Sequence, residues 1–268
     1  MAIPLEDKFN DIVGKAMRGF KLSDSDAAAA AGLTAAEVQS LREGTWNQAV
    51  ARQLAPALGL KASALLVAGN ESWAPAPVQL AGFAQFNTVY EDMTVNSYIA
   101  WDTLSGDAVA FDTGADCGPM LDLISAKNLT LKYILLTHTH GDHIFDLDRL
   151  KEKTGAPAFV NEREPIDGAE PFATGHHFEV GSFRIETRLT WGHSRGGTTF
   201  LLPLARLVAV VGDAMFAGSM GGGAVSYAAA LCTNREHILS RPDETIVAPG
   251  HGPLTTVGEQ KIHNPFFP

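Results

Sequence analysis

The sequence predicts an α/β fold with a small all-α domain in front of it. Three observations predict this. Over residues 1–70 apolar positions recur at helical spacing. Residues 71–79 (ESWAPAPVQ) are rich in Pro and Ala. From residue 80 onward, short β-type runs alternate with helical stretches. The expected organisation is a helical domain over 1–70, a linker over 71–79 and an α/β domain over 80–268.

Phe9, Ile12, Val13, Ala16 and Phe20 fall on one face of a first helix. Ser23 and Asp24 offer a cap for a second. Thr34 with Glu37 forms a capping box ahead of Val38 and Leu41, and Gly32 sits in the turn between the two. Leu54 and Leu58, then Ala64, Leu65 and Leu66, mark later helices. In the second region the β-type runs are 83–90, 95–101 and 108–111, followed by a helix near 120–126. Residues 133–136, 207–211 and 246–248 are wholly apolar, the pattern of strands buried on both faces.

The chain has 268 residues, 46% hydrophobic and 19% charged, which is ordinary globular composition. A formal net charge of −10 repels a phosphate backbone and argues against nucleic acid as a partner. Cys117 and Cys232 are too few for a disulfide framework and lack metal-ligand spacing. They are expected to be free thiols in a reducing cytoplasm. The opening MAIPLEDKFN carries acids early and does not read as a secretory signal. The apolar run at 27–31 falls far short of the roughly 20 residues that span a bilayer. A cytoplasmic protein without membrane partners is expected.

The chemistry concentrates in Thr137-His138-Thr139-His140-Gly141-Asp142-His143. Four metal-competent side chains fall in six residues, directly after the buried run 133–136. The C-terminal ends of strands are where α/β folds place their sites. His138 and His140 share one side of an extended backbone, and Gly141 lets the chain turn before Asp142 and His143.

HxHxDH after an apolar strand resembles the metallo-β-lactamase superfamily. Further matches follow in order: Asp112-Thr113-Gly114, Gly192-His193-Ser194, Gly212-Asp213 and Pro249-Gly250-His251-Gly252-Pro253. The resemblance covers roughly residues 80–268 and implies a four-layer αββα sandwich. It implies a first metal on His138, His140 and His193, a second on Asp142, His143 and His251, and Asp213 bridging both. Asp142 is the one ligand also expected to act in catalysis. Two divalent cations are implied, Zn first, with Fe or Mn open. The resemblance further implies that a hydroxide bridging them attacks an electrophilic carbonyl.

Within the family the closest likeness is to glyoxalase II-like hydrolases. It rests on Asp213, on GHGPLTT at 250–256 and on HNPFF at 263–267. The implied substrate is a small-molecule thioester or ester. Asp213 argues against a true β-lactamase, whose pattern lacks that bridge. Several departures leave glutathione open as the thiol. His193 is followed by Ser194-Arg195-Gly196 where Thr-Pro-Gly is usual. His143 is followed by Ile144-Phe145-Asp146 where Gly-Gly is common. The loop 217–223 has no Lys or aromatic residue, and no Arg trails the end of the chain. A lactonase stays open, as does a persulfide dioxygenase with one Fe(II) on His138, His193 and Asp213.

About 65 residues at the start resemble the phage-repressor type of helix-turn-helix domain, on Ala28, Gly32, Val38 and Leu41 and on the stretch 54–66. The helix over 34–43 sets Arg42 and Gln39 against Glu37 and Glu43. Residues 1–75 hold 7 Lys/Arg and 8 Asp/Glu, a net of −1. That balance speaks against a DNA-binding regulator with a metal domain as sensor. Homo-oligomerisation through the helices, or a cover over the site's mouth, is the plainer expectation. His176, His177, His237 and His263 are expected to hold no metal, with His176 and His177 exposed. Asp146 and Asp148 are expected to face solvent near a helix start.

Overall fold

Alternation of side chains along the strands decides the architecture. In the computed structural model, which describes residues 3–268, Tyr98 and Ala100 point into one apolar cluster while Ile99 points into another. Val109 and Phe111 separate from Ala108 and Ala110 in the same way, and Val208 and Val210 from Ala209 and Val211. Each strand is therefore apolar on both faces and needs a cover on each. Met1 and Ala2, where the stretch read as lacking a secretory signal begins, lie outside the described residues.

The chain opens with α1 (Phe9–Phe20), α2 (Asp24–Ala31), α3 (Ala35–Arg42), α4 (Gln48–Ala57) and α5 (Ala62–Gly69). Ser23 caps α2 with Asp26 as its box partner, and Thr34 caps α3 with Glu37. A first sheet follows in consecutive order: β1 (Phe83–Tyr90), β2 (Met93–Trp101), β3 (Asp107–Phe111), β4 (Thr130–Leu135), β5 (Ala158–Asn161) and β6 (Glu170–Phe172). β1 and β2 form an antiparallel hairpin, and β3 to β6 run parallel. Their crossovers carry α6 (Gly118–Lys127), α7 (Gly141–Ile144) and α8 (Leu147–Thr154).

The second sheet is also consecutive: β7 (His177–Val180), β8 (Phe183–Leu189), β9 (Thr198–Pro203), β10 (Leu207–Gly212), β11 (Ile246–Pro249) and β12 (Thr255–Thr256). Between β10 and β11 run α9 (Tyr227–Asn234) and a π-helical turn, Arg235–Leu239. α10 (Val257–His263) closes the chain.

Tyr98, Phe111, Phe200, Val210 and Ile246 fill the space between the sheets. Met120, Leu147 and Leu150 cover the outer face of the first. Each fully buried side chain of this size contributes about 1.5–3 kcal/mol. The result is four layers, helix–sheet–sheet–helix.

The outer face of the second sheet is covered differently. Leu201, Ala209, Val211 and Val247 share one continuous core with Ile12, Val13, Leu54, Leu58 and Leu65 of the amino-terminal helices. Tyr227 packs edge-on against Phe20, centroids 5.1 Å apart, and Phe266 and Phe267 enter the same core. Lys61 N–H donates to Pro265 O at 2.7 Å. The helices thus form the outermost layer of the same packed body.

Two local expectations need correction. Asp146 does not face solvent: its carboxylate accepts the Cys117 N–H at 2.8 Å and pairs with Arg149 at 3.0 Å. His177 is half-buried within β7. His263 is packed, stacking on Trp73 with centroids 4.4 Å apart. Asp148 and His176 are exposed. Both cysteines are free, Cys117 buried and Cys232 exposed. Among the described residues no helix is long and apolar enough to cross a membrane.

Candidate metal centre

Five chain segments converge at one edge of the two sheets. β4 delivers residues 137–143, β10 delivers Asp213, β11 delivers His251, the segment after β8 delivers His193, and β3 ends at Asp112. Asp112 adopts φ 55° and turns its carboxylate toward the β4 loop. Its Oδ1 accepts the Thr137 N–H at 2.7 Å. Its Oδ2 accepts the Thr137 hydroxyl at 2.7 Å and the ring N–H of His143 at 2.8 Å. His143 O in turn accepts the Thr113 N–H at 2.8 Å. The Asp-x-Gly turn read in the sequence is therefore the brace of the histidine loop.

Two groups of donor atoms result, His138, His140, His193 and Asp213 in one and Asp142, His143 and His251 in the other. In the first, His140 Nδ1 lies 3.1 Å from His138 Nε2 and 3.0 Å from His193 Nε2. Asp213 Oδ2 is 3.3 Å from His193 Nε2 and 3.9 Å from His138 Nε2. In the second, Asp142 Oδ2 is 3.2 Å from His251 Nε2 and 3.4 Å from His143 Nε2. Asp213 reaches this group as well, with Oδ1 3.3 Å from His143 Nε2 and Oδ2 3.5 Å from His251 Nε2.

The far nitrogens explain why the near ones are available. His143 Nδ1–H donates to Asp112, His251 Nδ1–H to Thr94 O at 2.7 Å and His193 Nδ1–H to Gly222 O at 3.0 Å. The Thr137 hydroxyl donates to Asp112, so at 3.0 Å it accepts from His138 Nδ1. With Nδ1 so engaged, each of these four rings would present Nε2 to a metal in its neutral form, the tautomer a metal requires.

The donor set fits divalent cations on a second ground. His143 Nε2 and Asp213 Oδ1 are both buried and lack a hydrogen-bond partner, although they lie 3.3 Å apart. Ligand atoms around a tetrahedral cation at ~2.0–2.1 Å stand about 3.3 Å from one another. Gly250 is required beside them. A Cβ there would sit 2.1 Å from Asp213 Oδ1 and 2.6 Å from His143 Cε1.

Burial and neighbouring charge set the protonation of the metal-free cluster. Burial and the nearby His143 hold His138 well below the ordinary histidine range, so it is neutral. Burial also pushes His143 and His251 down, but the carboxylates outweigh it. Asp213 and Asp112 raise His143 to about 10, and Asp213 and Asp142 raise His251 to about 11. Burial opposes ionisation of Asp213, yet His143 and His251 hold it well below the carboxylate range.

All seven residues picked out in the sequence are brought together. Glu164 was not picked out. Its Oε1 accepts the Thr139 hydroxyl at 2.9 Å and its Oε2 the Gly196 N–H at 2.9 Å, tying the His140 loop to the His193 loop. No motif surrounds it.

A two-sheet α/β fold with a His/Asp cluster at the strand ends defines a class of metal-dependent hydrolases. Residues 90–251 match the metallo-β-lactamase superfamily, and the chain belongs to that family. It is 33% identical over 195 residues to the probable metallo-hydrolase YqgX of Bacillus subtilis, covering 63% of this chain and 91% of that protein. It is 27% identical over 197 residues to the hydroxyacylglutathione hydrolase GloC of Haemophilus influenzae, covering 64% and 92%. The structure is similar to that of the B3 metallo-β-lactamase BLEG-1, with a TM-score of 0.62 at 29% identity over 69% of this chain and 99% of the other. The first five helices lie outside the matched segment.

Proposed function

We propose that the chain is a binuclear metallohydrolase that cleaves a small-molecule thioester or ester. The placement of Asp213 carries this reading: one carboxylate stands 3.3 Å from His193 Nε2 through Oδ2 and 3.3 Å from His143 Nε2 through Oδ1. A carboxylate shared by two imidazole-rich groups would serve both cations. His138, His140 and His193 would hold one cation, and Asp142, His143 and His251 the other, with Zn the best match to such donors. When bound, the two cations supply Lewis acidity and acidify a shared water.

The chain's own residues do the rest. Asp142 is half-buried at the edge of the cluster, its Oδ2 turned to His251, and would orient the attacking water. Asp112 and Glu164 fix the loops that present the donors. A thioester suits a site without an evident proton donor, because a thiolate leaves as an anion. The resemblance to GloC supports thioesters. Glutathione is not proposed, because residues 217–223 offer it no cation or aromatic ring. Nucleic acid is not proposed either: Arg42 is held bidentate by Asp24, both contacts 2.9 Å.

The test is elemental analysis of freshly purified protein joined to a thioester and lactone screen. About two metal equivalents with thioester turnover support the reading. One equivalent of iron with oxygen uptake on persulfides would replace it with the dioxygenase.

A further inference from the structure

The segment before α1 passes against Gly252, beside the metal centre. A Cβ on Gly252, one residue beyond His251, would lie 3.3 Å from Glu6 N and 3.5 Å from Pro4 O. The segment is anchored from both sides. Asp7 accepts the Ser219 hydroxyl and pairs with Lys15 at 2.5 Å. Lys15 Nζ donates to Met220 O at 3.0 Å and sits 5.0 Å over the Phe216 ring, which meets His251 edge-on. Pro4, Leu5 and Asp7 turn toward a separate cavity of about 380 Å³, and Glu6 is not in its wall.

Glu6 is the unmatched member of this arrangement. It is half-buried, and among the described residues its carboxylate has no hydrogen-bond or ion-pair partner. Burial raises it above the ordinary range, while the charge of His251 opposes that rise. His251 has no use for it as an orienting group, since Nδ1 is held by Thr94 O and Nε2 faces Asp142 and Asp213. The carboxylate lies close enough to feel the charges of His251 and Asp213.

We propose that Glu6 is a specificity-determining residue, a carboxylate beside the His251–Gly252 turn that favours neutral or cationic thioester substrates over carboxylate-bearing ones. This rests on the hydrolase reading above. It also gives the amino-terminal region a direct role in recognition, because α1 supplies the Lys15 that fixes the segment. Unit charges across a partly solvated cleft discriminate by roughly three- to tenfold.

The test uses the metal-loaded full chain and acetyl thioesters of thiocholine (cationic), N-acetylcysteamine (neutral) and mercaptoacetate (anionic). The wild type is expected to favour the first over the last in kcat/KM by roughly fivefold or more. E6Q should erase most of that ratio and E6K should invert it. E152Q, which removes an equal charge on exposed α8, should leave it in place. Binding of the free thiols, thiocholine against mercaptoacetate, is measured in the same proteins. Ratios unmoved by E6Q and E6K, or moved equally by E152Q, overturn the assignment. If no thioester is hydrolysed but thiol binding still follows residue 6, the hydrolase reading falls and the assignment stands.

Discussion

His143 Nδ1 and Asp112 Oδ2 lie 2.8 Å apart, both buried, and through this bond the turn after β3 sets the ring that faces Asp142 and Asp213. Asp112 itself touches no other donor of the cluster. Its removal therefore separates support from ligation. D112A leaves the Thr137 N–H and His143 Nδ1–H without acceptors, and metal affinity should fall about 10- to 100-fold. Competition with a chromophoric chelator measures it. Unchanged affinity would show that the His143 ring is held by packing alone.

The two donor groups should empty separately. H138A removes a donor only from the first group and H251A only from the second. Each variant is expected to retain about one metal equivalent in place of about two, with activity lost by more than about 100-fold. Elemental analysis with the turnover assay reads both. Full activity in H138A would remove the site assignment.

Gly250 tests the crowding around the bridge. G250A puts a methyl group 2.1 Å from Asp213 Oδ1. The displaced carboxylate should lower activity by about 100-fold, because misplacement near 1 Å is enough. The strain is local, so the thermal midpoint should drop by only about 2–4 °C per kcal/mol of damage. Collapse of the fold without an isolable variant would make Gly250 a folding residue instead.

The metal-free protein should have a distinctive pH dependence. His143 rises from 6.5 to about 10 on folding and His251 from 6.5 to about 11. A raised folded-state pKa stabilises fully below the unfolded value, and that stability is lost as pH climbs through the folded value. Chelator-treated protein should therefore lose thermal stability between pH 6.5 and 11. Metal loading requires deprotonated rings, so metal affinity should rise over the same interval. Melting curves of both forms across that range give the two slopes, and parallel slopes would contradict the charge state assigned to the cluster.

Much of the centre is legible in the sequence because its donors follow apolar runs. Residues 133–136, 207–211 and 246–248 read as buried strands, and His138, Asp213 and His251 come directly after such runs. The supporting contacts are less legible. Thr94 O and Gly222 O are backbone carbonyls, which every residue has, so no residue type marks them. Glu164 is 25 residues from Thr139 and 32 from Gly196, and only the fold brings them together. Periodicity in α1 shows that Ile12 and Val13 are buried, but not that Val211 and Val247 lie in the same core.

That shared core changes what the boundary at 71–79 means. Along the chain it separates helices from strands. In free energy it separates nothing, because Leu54, Leu58 and Leu65 are buried in the same cluster as Leu201 and Ala209. A chain shortened to begin at residue 80 would expose the apolar back of its second sheet and would tend to associate with other copies. Heating the whole protein should melt both regions in a single cooperative transition. The helices are to this molecule what an outer wall is to a room: taken away, they leave the interior open to water.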